Sequence, residues 1–233
     1  MSEKSARKKK TNPSKTRKRS HKVKPDDALK DAVLKAALKD AAFDGFTEAV
    51  LAKAGRAAGA DKVQLTRLFP DGPSSLIAYF STSLDAAMEK RLSAIDLKKL
   101  KIRERIKTAI LTRLQLIEPH KEAARRAAAA LTLPMNAGLG AKLIYGTVDT
   151  MWRAAGDTST DFNFYTKRGI LACVYGSVLM RWFSDTGEND GATEKFLDAR
   201  IENVMQFEKF KAKARETLSG FPGFAAWVKP KAN

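Results

Sequence analysis

FTEAVLAKAGRAAGADKVQLTRLFPDGP, residues 46–73, reads as two short helices and the opening of a third. Thr47 is a capping type whose hydroxyl can accept the free N–H groups of a helix start, and the alanine-rich run behind it ends at Gly59, the residue best suited to close a helix. Asp61 can cap a second short helix, VQLTRLF, which must stop at Pro70 because proline drives the residue before it out of the helical region. Gly72 and Pro73 then open a long helix carrying Leu76, Phe80, Leu84 and Met88 at a spacing of four. Working upstream, Asp26 and Asp27 place carboxylates at the positive end of a first helix. It sets Leu29, Val33, Ala36 and Ala37 on one face before Asp44 and Gly45 break it. Downstream the pattern stays helical, with Ala, Leu, Lys and Glu dominant and no sustained alternation of period two. The expected fold class is all-α.

The 233 residues are 44% apolar and 30% charged, which suits one globular domain with tails. The longest apolar runs, such as Ile170–Met180, fall short of the roughly 20 residues a membrane-spanning helix needs. Cys173 is the single cysteine, so no disulfide forms within the chain, and its apolar neighbours predict a buried thiol. His21 and His120 have no ligand-spaced companions, so no metal and no cofactor are expected; His120 follows Pro119 and reads as a surface residue. The net charge of +17 is concentrated: residues 1–24 hold 11 Lys or Arg and one Glu, whereas residues 25–100 hold 11 basic and 11 acidic residues. Residues 1–25 therefore read as a basic disordered tail, either simply solvated or attracted to the phosphate of lipid or nucleic acid, and the folded N-terminal part as neutral.

Three short helices followed by a long one resemble the N-terminal half of the TetR family, whose second and third helices form a helix-turn-helix; here that part covers about residues 26–72. The resemblance implies phosphate-contacting positions at Thr66 and Gly72, which lack the Tyr and Lys of that family. Lys62, Gln64 and Arg67 are the remaining side chains that could reach DNA. A module that neutralises phosphates should be basic, so the neutral balance of residues 25–100 argues against DNA. The competing function is a TetR-like transcriptional regulator binding DNA and a hydrophobic effector.

Residues 149–169, DTMWRAAGDTSTDFNFYTKRG, with FPDGPSSLIAYF (69–80), KTAILTRLQLIEPH (107–120), LTLPMN (131–136) and FLDARIENV (196–204), resemble the coenzyme Q (ubiquinone) biosynthesis accessory lipid-binding family, which has a TetR-like fold. That resemblance covers about residues 27–216 and implies a non-enzymatic protein. It would bind a lipid or isoprenoid quinone precursor and present it to a di-iron demethoxyubiquinone hydroxylase at a membrane surface. A homodimer is compatible with it. The location implied is cytoplasmic, on the inner face of the membrane, or the matrix face in a mitochondrion.

The residues taken as lipid-binding are Leu131, Leu133, Met135, Leu143, Ile144, Met151, Trp152, Ile170, Val174 and Val178, from the later helices where such folds hold ligands. No catalytic residue is expected, because no group of catalytic type converges with them. The helix after Asp161 is nearly apolar all round and reads as central and buried. Its first turns combine aromatics with an arginine, the composition of an interaction hot spot. The resemblance implies that this patch engages the hydroxylase, so Asp161, Phe164, Tyr165 and Arg168 are the expected partner-binding residues, the alternative being that they only cap and brace the helix start; Phe164 stands where the family most often has Trp. Residues 217–233 end in Phe221, Phe224, Trp227 and Val228 beside lysines, a composition suited to membrane contact.

Overall fold

The computed structural model describes residues 25–158, 162–186 and 191–219, and the side chains among these except 162–163 and 208–219. The described residues form helices α1 (Pro25–Asp44), α2 (Glu48–Ala57), α3 (Lys62–Leu68), α4 (Pro73–Ser93), α5 (Ile102–Ile117), α6 (Lys121–Leu131), α7 (Ala137–Ala154), α8 (Phe162–Phe183) and α9 (Ala192–Ser219). Single 3-10 turns intervene at Leu97–Lys99, Glu118–His120 and Pro134–Asn136. The class is all-α.

Local chemistry sets the first boundaries. The Thr47 hydroxyl accepts from the Val50 N–H at 3.3 Å, and Asp61 and Gln64 exchange side-chain-to-backbone hydrogen bonds of 2.8 and 2.9 Å in a reciprocal capping box. Gly72 takes φ +56° ahead of Pro73, and a Cβ there would collide with Glu48 Oε1. That carboxylate is the far end of a flexible side chain and can swing away, so it is the positive φ that requires glycine at this turn.

α1 packs against α2 and α6, α4 runs along α5 and α7, and α8 lies between α7 and α9. Val33, Ala37, Leu76, Met88, Ile110, Val148, Met151, Val178 and Leu197, drawn from six helices, share one core from which solvent is fully excluded. At about 1.5–3 kcal/mol for each large apolar side chain removed from water, this shared core holds the N-terminal and C-terminal helices together.

Three polar side chains of α3 are engaged, two of them within the helix and its cap. Arg67 donates to both carboxylate oxygens of Asp26 at 2.8 Å, Gln64 is spent in the capping box, and the Thr66 hydroxyl donates to the Lys62 carbonyl. Of the three side chains expected to reach DNA, Lys62 alone makes no such bond among the described residues.

Two expectations need correction. Cys173 is exposed, not buried. The buried stripe of α8 follows Leu171, Val174, Tyr175, Val178 and Trp182, and position 173 falls off it, as do Tyr165, Gly169 and Met180. α8 is therefore amphipathic, because α7 and α9 cover only part of its circumference. His120 is exposed, as expected. Among the described residues no single helix is long and apolar enough to cross a membrane, and no group of three or more His, Cys, Asp or Glu side chains is placed to share a metal ion.

Candidate functional site

α6 carries the run KEAARRAAAAL. Ala124, Ala127 and Ala128 turn short side chains toward α4, α7 and α8, and a methyl group cannot fill the space that a leucine would. The result is a cavity of about 360 Å³ lined by Ile77, Phe80 and Leu84 of α4, Ile117 of α5, Leu131, Leu143 and Ile144, and Tyr175, Leu179 and Phe183 of α8. That volume falls in the range of small-ligand sites. Thr132, Ala137 and Ala141 are exposed lining residues, which places the mouth at the connection between α6 and α7.

The wall also includes one strongly polar group. Arg113 is 3% exposed and ion-pairs with Asp85 through Nη1; Nη1 also donates to the Ser81 carbonyl at 3.3 Å and Nη2 to the Ser81 hydroxyl at 3.2 Å. The Thr147 hydroxyl donates to the other Asp85 oxygen at 3.2 Å. Burial pushes the Asp85 carboxyl above the usual carboxylate range, against the pull of Arg113 and the Thr147 hydrogen bond. Arg113 Nε is buried and has no hydrogen-bond partner among the described residues.

A second cavity of about 280 Å³ opens between α5, α7, α8 and α9, lined by Ile102, Ile106, Trp152, Ile170, Leu171, Val174, Ile201 and Val204. Trp152 is fixed there by donating from Nε1 to the Lys167 carbonyl at 3.1 Å.

The ten expected lipid-binding residues are thus not brought to one place. Leu131, Leu143 and Ile144 line the first cavity, and Trp152, Ile170 and Val174 the second. Met151 and Val178 are sealed in the core and line neither. Leu133 and Met135 are 48% and 85% exposed on the turn beside the first cavity's mouth. Sequence reasoning missed Phe80, Leu84, Arg113 and the α6 alanines. The available signal was Arg113 itself, a charge on the face that carries Ile106, Ala109, Ile110 and Ile117.

The expected partner patch divides in the same way. Tyr165 is 66% exposed and Phe164 half-buried, their rings meeting edge to face at 5.1 Å. Arg168 is not available to a partner: it is 2% exposed. Its Nε donates to Asp149 at 2.7 Å and its Nη1 to Asp157 and to the Phe164 carbonyl at 3.1 Å, while the guanidinium lies 3.4 Å from the Phe164 ring centroid. A buried cation needs this neutralisation, so Arg168 clamps the start of α8 onto the end of α7. Asp161 lies outside the described residues, as do Phe221, Phe224, Trp227, Val228 and the basic tail.

A helical domain with two ligand-sized apolar cavities is the class of protein this geometry defines. The sequence profile of the COQ9 family matches residues 137–208, from α7 into α9. The rat ubiquinone biosynthesis protein COQ9, mitochondrial, is 30% identical over 215 residues, spanning 88% of this chain and 69% of the relative. The human protein of the same name is 29% identical over 215 residues, with 88% and 67% covered. The probable ubiquinone biosynthesis protein coq9 of Dictyostelium discoideum is 30% identical over 196 residues, with 82% and 64% covered. The chain belongs to the COQ9 family.

Proposed function

We propose that this chain is a non-enzymatic lipid-binding protein of ubiquinone biosynthesis that holds an isoprenoid quinone precursor and presents it to a demethoxyubiquinone hydroxylase at a membrane. The observation that carries this reading is the 360 Å³ cavity, whose lining is apolar except for the Arg113 end and small hydroxyls. Apolar burial at about 25 cal/mol per Å² supplies the binding, and it needs no catalytic group. Arg113, the charged side chain of the cavity wall, is engaged with Asp85 behind it, which suits holding a ligand better than transforming it.

The mouth gives presentation a route. Leu133 and Met135 stand exposed beside it, so an apolar ligand leaving for a membrane or a partner passes apolar side chains on one side of the mouth. Tyr165, with Phe164 behind it, remains the partner face, and the aromatic residues of 217–233 the membrane contact. The relatives are named as mitochondrial, and for this chain the corresponding place is the inner, matrix-side membrane face, or the cytoplasmic face in a bacterium. A regulator that binds DNA and an apolar effector has less support, since Arg67 is paired with Asp26 at the surface and Gln64 with Asp61 in the helix cap, and residues 25–100 carry no net charge.

Purification of the full chain from a ubiquinone-producing cell, followed by extraction and mass spectrometry, tests the reading. A prenylated quinone precursor in the extract is expected, together with faster hydroxylation of demethoxyubiquinone when the chain is added to the hydroxylase. An empty protein without effect on that reaction overturns it.

A further inference from the structure

The connection between α4 and α5 is strongly basic. Residues 90–103, KRLSAIDLKKLKIR, hold six Lys or Arg and one Asp. Lys99 pairs with Asp96 at 3.1 Å, whereas Lys90, Arg91, Lys98, Lys101 and Arg103 are exposed and make no ion pair among the described residues. Two exposed isoleucines, Ile95 and Ile102, stand in the same stretch. The turn is held in one shape. Leu97 is buried beneath it, and Arg105 donates to the carbonyls of Leu100 at 2.9 Å and Lys98 at 3.1 Å and, across to the end of α7, of Ala155 at 2.9 Å. Like charges collected on a fixed turn repel one another, and an anionic surface relieves that repulsion.

From this we infer that the α4–α5 connection is a contact surface for an anionic bilayer, with Lys98, Lys101 and Arg103 at the lipid phosphates and Ile95 and Ile102 entering the boundary between head groups and acyl chains. The inference rests on the reading that the chain works at a membrane. It adds a second point of contact, separate from residues 217–233, and with it an orientation. A bilayer is favoured over nucleic acid because a duplex would take up the charges and leave both isoleucines in water, whereas a lipid surface covers them. The course of α9 supports the same side. Lys107 pairs with Glu194 and Asp198 at 2.8 Å, and one turn nearer the start of α5 Ile102 and Arg103 share a cavity with Ile201, Val204 and Met205. α9 therefore runs antiparallel to α5, toward the basic turn, and stays helical to Ser219. A short apolar segment alone anchors weakly, and stable membrane attachment takes a second signal such as a polybasic patch.

Flotation of the full chain with vesicles of phosphatidylcholine containing about one-third phosphatidylglycerol tests the surface. Lys98→Gln with Lys101→Gln is expected to weaken vesicle binding about twentyfold, the worth of two lysines at an anionic leaflet, and to leave the thermal midpoint unchanged. Lys35→Gln with Lys39→Gln removes the same charge from exposed positions of α1, which packs against α2 and α6, and is expected to weaken binding less than about threefold. A second readout follows position directly. With Cys173→Ser as background, an environment-sensitive fluorophore on Ile102→Cys should shift to the blue on these vesicles and not on pure phosphatidylcholine, and the same label on Lys39→Cys should shift on neither. Equal effects of the two double substitutions, or an unshifted label at position 102, overturn this surface while leaving the membrane reading, which removal of residues 218–233 tests separately. Binding of a random DNA duplex that falls about twentyfold with Lys98→Gln and Lys101→Gln while vesicle binding stays the same overturns it in favour of nucleic acid. If the unaltered chain floats with no vesicle, both readings fall.

Discussion

Replacing Arg168 by methionine separates a brace from a docking residue. The side chain is 2% exposed and is held by Asp149 at 2.7 Å, by Asp157 at 3.1 Å, by the Phe164 carbonyl and by the Phe164 ring. Methionine keeps much of the volume and none of the charge, so the cost is mainly that of leaving carboxylates with less compensation. Breaking a buried pair from one side costs about 3–5 kcal/mol. Here Asp157 retains Lys167 at 2.9 Å and Asp149 retains Arg153 at 3.1 Å, which places the loss at the lower end, about 3 kcal/mol. For a domain of this size each kcal/mol moves the midpoint by about 2–4 °C, so far-UV circular dichroism should record a fall of about 6–12 °C. A surface docking residue would change stability by no more than about 0.5 kcal/mol. A midpoint within about 1 °C of the unaltered protein would refute the clamp.

Tyr165→Lys should leave the midpoint unchanged and weaken capture by the hydroxylase in surface plasmon resonance; unchanged capture removes Tyr165 from the partner face. Thr47→Ala removes the cap of α2 and should cost about 1 kcal/mol in urea denaturation, whereas no loss would mean that packing alone holds that helix start. The hydrogen bond from Arg67 holds the Asp26 carboxyl below its ordinary value. Its contribution is therefore present above the unfolded carboxylate value of about 3.9 and is lost as pH falls through the lower folded value. An NMR titration of the Asp26 carboxyl with a midpoint at or above the ordinary value contradicts this. Truncation after Thr217 should abolish flotation with anionic liposomes, and a truncated chain that floats as well as the full one would shift the anchor to the basic tail.

The boundaries of α2, α3 and α4 were legible because each is set by a few adjacent residues: Thr47, Asp61 with Gln64, and Gly72 before Pro73. The cavity was not, because it arises from what α6 lacks, and an alanine run looks alike whether it faces water or a void. Arg168, expected at a partner face, and Arg113, which drew no expectation, both carried a warning in their spacing. Arg168 precedes Leu171, Tyr175, Val178 and Trp182 on the buried stripe of α8, and Arg113 shares a stripe with Ile106, Ile110 and Ile117. An arginine in register with an apolar stripe implies a carboxylate facing it from another helix. Which carboxylate, Asp149 and Asp157 in one case and Asp85 in the other, depends on tertiary packing that no local pattern encodes.

Cys173, exposed on α8 and without another cysteine in the chain, stands beside Gly169, Ser177, Arg200 and Asn203 in the groove between α8 and α9. A maleimide fluorophore or spin label therefore attaches at one place without any engineering, and its signal reports on that groove alone. The same thiol complicates gel electrophoresis. Under air, two chains can join through Cys173 whether or not they associate natively, so a band of doubled mass counts as self-association only when it survives a reductant.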